Sequence, residues 1–201
     1  MLRYQRGDTI IEVLLAFTVF SLVSVGAMTV MAQGVNTSQR ALEITQVRQQ
    51  IESQAESLRA AQEAYSASED PTNSQWRSVA VANRLGNTLH FADTAACPSE
   101  AWMNSARTFI MDPRTATYVA APDWYRDTSS TTAPAAFAQL KTNGATVQSY
   151  GVWIERTYEP PAVDASIPNA YSFAIRACWN SPGLKVPLQI ETIVRLYEPN
   201  S

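Results

Sequence analysis

The feature that most constrains this chain is a run of apolar residues near its N-terminus. Residues 13–31 read VLLAFTVFSLVSVGAMTVM and contain neither a charge nor a proline. A helix of about 20 such residues is long enough to cross the hydrocarbon core of a bilayer, where it satisfies its own backbone hydrogen bonds. The run therefore predicts one membrane-spanning helix.

The distribution of basic residues predicts the orientation of that helix. Arg3 and Arg6 precede the apolar run, and the next basic residue after it is Arg40. The positive-inside rule places the N-terminus in the cytoplasm and the rest of the chain outside. The alternative is a secretory signal peptide that is removed, but the sequence around Ala27 and Ala32 matches its small-residue cleavage site weakly.

The composition bounds the remaining function classes. The chain has 201 residues, of which 46% are hydrophobic and 16% charged, enough for one globular domain. A net charge of -3 without a Lys/Arg-rich run argues against nucleic acid as a partner. Metal-ligand spacings and the common catalytic and nucleotide-binding motifs are missing, and His90 is the single histidine. We expect no cofactor, no metal and no enzymatic activity.

One carboxylate, Glu12, stands at the start of the apolar run. A charge in the middle of a bilayer costs roughly 2.5 to 3.5 kcal/mol on insertion scales, so an acidic residue here calls for a partner or a role. One explanation is local, because Thr9 and Glu12 have the spacing of a helix capping box. The other explanation is a role in assembly.

The assembly explanation comes from a family resemblance. A short basic leader, residues 1–7, ends at Gly7, and Glu12 is the fifth residue after that glycine. This pattern resembles the processing signal of type IV prepilins and of type II secretion pseudopilins. The resemblance implies cleavage between Gly7 and Asp8 by a prepilin peptidase, N-methylation of the new amine, and pairing of Glu12 with the amine of a neighbouring subunit. It implies no catalytic residue.

The same resemblance implies partners and a location. The partners are other pilin subunits, the prepilin peptidase and the membrane platform that assembles the pilus. The chain is then a single-pass membrane protein before assembly and part of an extracellular filament, or fimbrium, afterwards. Asp8 replaces the usual apolar first residue, and the helix lacks the proline common in major pilins, so the pattern favours a minor subunit.

The helix is predicted to continue well past the membrane, from Asp8 to Tyr65. Residues 35–65 contain no proline, and apolar residues recur at steps of three and four to form one stripe, at Ile44, Val47, Ile51, Ala55 and Leu58. Pairs of opposite charge, Arg48 with Glu52 and Arg59 with Glu63, are predicted on the exposed side. The stripe is expected to pack on the protein's own sheet.

The remainder of the chain predicts a small head. A short helix is expected from Pro71 to about Leu85, and a hairpin within residues 107–120 around Asp112-Pro113-Arg114. Residues 127–134 are predicted to be a polar surface loop. Three segments rich in β-branched and aromatic residues, 145–158, 170–179 and 186–197, predict an antiparallel meander.

The expected architecture is therefore α+β, a long N-terminal helix on a small C-terminal antiparallel sheet, as in pilins. We divide the chain into the leader at 1–7, the transmembrane and assembly helix at 8–34, its amphipathic continuation at 35–66 and the extracytoplasmic head at 67–201.

The two cysteines, Cys97 and Cys178, leave two possibilities. A head outside the membrane permits a disulfide, much as one often fixes the C-terminal region of pilins, while two buried thiols are the alternative.

Two other functions fit the same pattern. One is a membrane-tethered binding protein that never assembles, with a surface formed by Trp102, Trp124, Tyr125 and Trp153. The other is a pseudopilin of a secretion or DNA-uptake machine.

Overall fold

The structure is a computed structural model that describes residues 8–67, 75–81, 96–103, 108–120, 124–126, 135–157 and 169–198. The chain divides into two compact units, Met1–Leu42 and Glu43–Ser201. The helices are α1 (Asp8–Ser66), α2 (Gln75–Val81) and α3 (Glu100–Met103). The strands are β1 (Phe109–Asp112), β2 (Thr117–Ala120), β3 (Tyr125–Arg126), β4 (Gln139–Asn143), β5 (Thr146–Tyr150), β6 (Val152–Thr157), β7 (Ala170–Trp179) and β8 (Leu188–Tyr197).

The predicted fold class is confirmed. One long helix, α1, packs part of its length on a five-stranded antiparallel sheet in the order β2-β1-β6-β7-β8. The last three strands of that order form the predicted meander, since β6, β7 and β8 pair in chain sequence. The hairpin of β1 and β2 is also confirmed, and β1 joins the meander through Phe109 opposite Ile154.

A second sheet, in the order β3-β5-β4, was not predicted. The segment expected to be one strand over residues 145–158 is two strands, β5 and β6, which belong to different sheets. The break falls at Gly151, whose φ of 77° lies in the left-handed region that favours glycine. There its N–H donates to Arg126 O at 3.1 Å while its carbonyl accepts from Cys178 N at 2.8 Å, so one residue links both sheets.

The predicted apolar stripe of α1 is confirmed as the helix contribution to the main core. Val47 and Leu58 are fully buried, Ile51 and Ala55 nearly so, and Ile44 packs at the edge. Side chains three and four positions apart share one face of a helix, so the stripe can meet the sheet along its whole length. Its partners on β7 include Phe173, Ile175, Ala177 and Trp179, the predicted alternating face.

A buried glutamine fixes α1 to the sheet. The amide of Gln54 donates to Met111 O at 2.8 Å and accepts from Met111 N at 2.8 Å, with no exposed surface. Both groups of one β1 peptide are thereby satisfied where the sheet does not supply a partner. The sequence pattern did not indicate this contact, because a polar residue between Ile51 and Ala55 looks like part of the exposed side.

One prediction about the exposed side was wrong. Arg59 makes its ion pair with Glu56, one turn towards the N-terminus, instead of with Glu63. Both spacings bring side chains together on a helix, so the sequence could not choose between them. The described residues contain no ion pair between Arg48 and Glu52 either.

The turns follow the predicted breaks where the structure describes them. In the hairpin of β1 and β2, Asp112 accepts hydrogen bonds from the Arg114 backbone N–H at 2.9 Å and from its guanidinium at 2.7 Å. The Arg114 side chain holds the pKa of that carboxyl below its usual value. The turn before β8 includes Gly183 with a φ of 80°. The limits predicted for the short helix, Pro71 and Leu85, lie outside the described residues.

Candidate functional site

The apolar segment of α1 lies exposed along the whole chain region that was predicted to cross a membrane. From residue 10 to residue 39 every side chain is exposed except that of Ser24, which is half-buried. Leu22 and Met31 are 74% and 76% exposed. Among the described residues one helix is long and apolar enough to span a bilayer, and its apolar window has no buried side chain.

Four hydroxyl groups interrupt this apolar surface, and the helix itself satisfies each of them. Thr18 donates to Leu15 O, Ser21 to Phe17 O, Ser24 to Phe20 O and Thr29 to Val25 O, at 2.8 to 2.9 Å. A hydroxyl bonded to a carbonyl on the preceding turn needs no water partner. The segment can therefore enter a hydrocarbon environment without leaving these polar groups unsatisfied.

Glu12 is the charged residue of this segment. It lies in the second turn of α1 between exposed apolar neighbours, Ile11 at 68% and Val13 at 54%. No described side chain pairs with it, so within this part of the chain its carboxylate faces outward alone. A group placed like this has to find its counter-charge in another molecule or at the membrane surface.

The other predicted processing residues cannot be examined in the same way. Gly7 and the rest of the leader lie outside the described residues, as do the side chains of Asp8 and Thr9. The prediction that cleavage follows Gly7, and the competing capping box of Thr9 with Glu12, both stay predictions. Residue His90 and the polar loop at 127–134 also lie outside.

The two cysteines are joined. The Sγ atoms of Cys97 and Cys178 lie 2.06 Å apart and the Cα atoms 5.6 Å apart, across a sequence separation of 81. This confirms the disulfide over two free thiols and ties the segment before α3 to the buried end of β7. In the chain-entropy account, closing a loop of that length stabilises the fold by about 4 kcal/mol.

The sequence did not predict the most heavily charged part of the head, which lies inside the sheet. The Arg176 guanidinium on β7 donates to both oxygens of Glu155 on β6 at 3.1 and 3.2 Å. The same guanidinium donates to Glu191 on β8 at 3.2 Å, and Trp153 Nε1 donates to Glu155 Oε1 at 2.6 Å. The Arg176 and Glu155 side chains are 5% and 2% exposed. Three neighbouring strands are linked through one buried cation.

Burial has a measurable consequence for Glu155. Loss of water around the carboxyl raises its pKa, because the charged form is penalised, and this outweighs the opposing effects of the Trp153 hydrogen bond and the Arg176 charge. A buried ion pair is costly to form and costly to break on one side only. The only available sequence signal was a charge within each of two apolar strands, and register decided which charges meet: Trp153 lies opposite Arg176.

The aromatic residues considered for a binding surface are core residues where the structure describes them. Trp124, Tyr125 and Trp153 are 2% exposed or less. Their rings pack edge to face, with centroids 5.7 Å apart for Trp124 and Tyr125 and 6.3 Å apart for Tyr125 and Trp153. The side chain of Trp102 lies outside the described residues. Three of the four members of that surface therefore cannot contact a ligand.

In comparisons with known proteins, no family model matches the chain, and neither a curated protein nor a solved structure does. The part of the chain that the structure describes also contains no group of three or more His, Cys, Asp or Glu side chains placed to hold a metal ion.

Proposed function

We propose that this chain is a pilin-like structural subunit, of the minor kind, in a type IV pilus or a related filament. The observation that carries the proposal is the apolar segment of α1, which is exposed from residue 10 onward and bears one lone carboxylate at Glu12. An apolar surface of this extent needs either lipid or other protein around it. In a pilin-like subunit it has lipid first and neighbouring helices afterwards.

Glu12 provides the step from membrane to filament. In the proposal a prepilin peptidase cleaves after Gly7 and leaves a positive amine on Asp8. The Glu12 carboxylate of one subunit pairs with the amine of the next, which removes the cost of an unpaired charge among apolar helices. Because only one axial position brings the two charges together, the pair also sets the register of addition. Asp8 lies beside its own amine and competes with Glu12 for it, which supports an atypical, minor role.

The head is placed outside the cytoplasm in this proposal, and the disulfide of Cys97 and Cys178 is in keeping with an oxidising compartment. The subunit acts without enzymatic chemistry or a cofactor. Its partners are other pilin subunits, the peptidase and the assembly platform in the membrane. The carriage of the subunit in adhesion, motility, secretion or DNA uptake would depend on those partners.

The test is the variant Glu12→Ala, produced with the assembly machinery and compared with Glu52→Ala, which removes an exposed glutamate from the second half of the same helix. Both variants should insert, be cleaved to begin at Asp8 and fold their heads. We expect Glu12→Ala to be lost from sheared filaments at least tenfold, whereas Glu52→Ala is incorporated normally.

Two readouts separate the parts of the proposal. Normal incorporation of Glu12→Ala would contradict the pairing role while leaving the family assignment standing. N-terminal sequencing of the wild-type protein that begins at Met1 would contradict the family assignment itself and favour a membrane-tethered binding protein.

A further inference from the structure

Strand β8 forms one edge of the five-stranded sheet. It pairs with β7 over ten residues without a bulge, from Leu188 opposite Trp179 to Tyr197 opposite Ala170. Among the described strands it has no neighbour on its other side. Natural sheets protect such edges with prolines, lysines, bulges or very short strands, and β8 has none of these. An unprotected edge of this length is a place where another strand can add.

The backbone groups that face this open edge can be identified. Glu198 N donates to Asn169 O at 2.8 Å, which extends the β7–β8 ladder by one pair and fixes its alternation. Residues with even numbers in β8 therefore turn their N–H and C=O towards β7, and those with odd numbers turn them outward. The outward groups of Ile193, at the centre, have no partner among the described residues. The outward carbonyl of Tyr197 is taken by the Gln62 side chain, so the open stretch ends before it.

Helix α1 does not obstruct the edge. A groove of about 390 Å³ separates the helix from β8, with apolar walls that include Ile51, Ala55, Ile190 and Val194. A strand laid along the edge of β8 could place alternate side chains in this groove. The other alternate side chains would join the sheet face that lies opposite α1.

The side chains on that opposite face have a self-complementary order. Glu191, Ile193 and Arg195 follow one another at every second position, with Ile193 63% exposed in the middle. A second β8 running antiparallel, with a two-fold axis at Ile193, places each Glu191 opposite the partner's Arg195. Opposite charges directly across a ladder stabilise it and like charges destabilise it. Ile193 then lies opposite its own counterpart.

We propose that β8 is a homotypic docking edge, on which a second copy of this chain adds its own β8 antiparallel in the register centred on Ile193. The contact is isologous, so the same surface serves both copies. The axis is perpendicular to the sheet and reverses the direction of the part of α1 that packs on it. On the proposed function, the paired copies therefore belong to two facing membranes or filaments, and neighbours in one filament do not make this contact.

The test measures self-association of the full chain in detergent micelles by analytical ultracentrifugation. Arg195→Glu places glutamate opposite Glu191 at both ends of the interface, and we expect dimerisation at least roughly tenfold weaker. The conservative Arg195→Lys should dimerise like the wild type. Neither change touches the buried pair of Arg176 with Glu155, and urea unfolding followed by tryptophan fluorescence checks that the heads stay folded.

A charge exchange tests the register. Glu191→Lys should also fail to pair with itself, yet an equimolar mixture with Arg195→Glu should form heterodimers, because each like-charge contact becomes an opposite-charge one. Ile193→Pro removes only an outward N–H, so it should abolish pairing while keeping the ladder with β7.

Three results would overturn the proposal: a wild-type chain that is monomeric at every concentration, dimers that survive Ile193→Pro, or dimers that Arg195→Glu does not weaken. Binding of an unrelated extended peptide to a monomeric wild-type chain would assign the edge to a different partner. None of these results depends on cleavage at Gly7, so the filament proposal stands or falls separately.

Discussion

The two halves of α1 have the same backbone and opposite surroundings. Residues 10–39 expose nearly every side chain, including large apolar ones such as Phe20 at 69%. Residues 44–66 bury a stripe that contains Val47 and Leu58 with no exposed surface. The first half is apolar on all sides and the second on one side only. A helix with one apolar stripe can be completed by a single sheet, whereas a helix that is apolar all round cannot.

The difference separates folding from assembly along one helix. Side chains in the second half determine whether the head is stable, because they form its core with the sheet. Side chains in the first half contribute nothing to that core and become significant only when lipid or other subunits surround them. Substitutions matched between the halves can test this division directly.

The largest effect is expected for Leu58→Ala compared with Leu22→Ala. Leu58 is fully buried against the sheet and Leu22 is 74% exposed. Removing the buried side chain should lower the free energy of unfolding of the head by about 2 to 5 kcal/mol, through lost burial and the cavity left behind. Leu22→Ala should change it by less than about 0.5 kcal/mol.

The measurement is urea unfolding of the full chain in detergent, followed by the fluorescence of the buried tryptophans Trp76, Trp153 and Trp179. A similar loss of stability in both variants would show that the first half of α1 does contribute to the folded head, which would remove the distinction drawn here.

A smaller effect is expected for a polar residue. Gln54→Ala leaves the Met111 N–H and C=O without their partner, and an unsatisfied buried group costs about 1 to 3 kcal/mol. The matched change in the first half, Gln39→Ala, alters an exposed side chain and should be neutral. The same unfolding experiment measures both. Equal stability of the two variants would mean that water replaces the glutamine in the core.

The smallest effect concerns pH and lies in the sheet that the second half of α1 covers. Burial raises the pKa of Glu155, so the folded head binds this proton more tightly than the unfolded chain does. The resulting stabilisation is complete below the ordinary carboxyl value of 4.5 and is lost as the pH rises through the raised pKa. The unfolding free energy of the wild type should therefore fall relative to that of Glu155→Gln between about pH 4 and pH 7.

The control for this pH experiment is Glu52→Gln, an exposed change in α1 whose difference from the wild type should not vary with pH. A wild type that gains stability over Glu155→Gln as the pH rises would show that the attraction of Arg176 outweighs the cost of burial.

Periodicity was enough to predict several elements. The spacing of Ile44, Val47 and Ile51 marked the buried face of α1, and the alternation from Tyr171 to Trp179 marked the inner face of β7. It could not reveal Gln54 or the Arg176 network, since a polar residue on a buried face has no signature of its own. Nor could it find the second sheet, because β3 is two residues long and β5 is parted from β6 only by the conformation of Gly151.

The candidate site divides in the same way. Glu12 and the apolar segment are properties of consecutive residues, so the sequence by itself determined where the charge stands and that α1 is long enough to cross a bilayer. Which distant residues meet was decided by tertiary structure alone. The pairing of β6, β7 and β8 sets a register, and register decides that Arg176 contacts both Glu155 and Glu191 and that Glu191, Ile193 and Arg195 line an open edge. The physical reason is that local pattern fixes which face of an element is apolar, while contacts between elements depend on how those faces pack together.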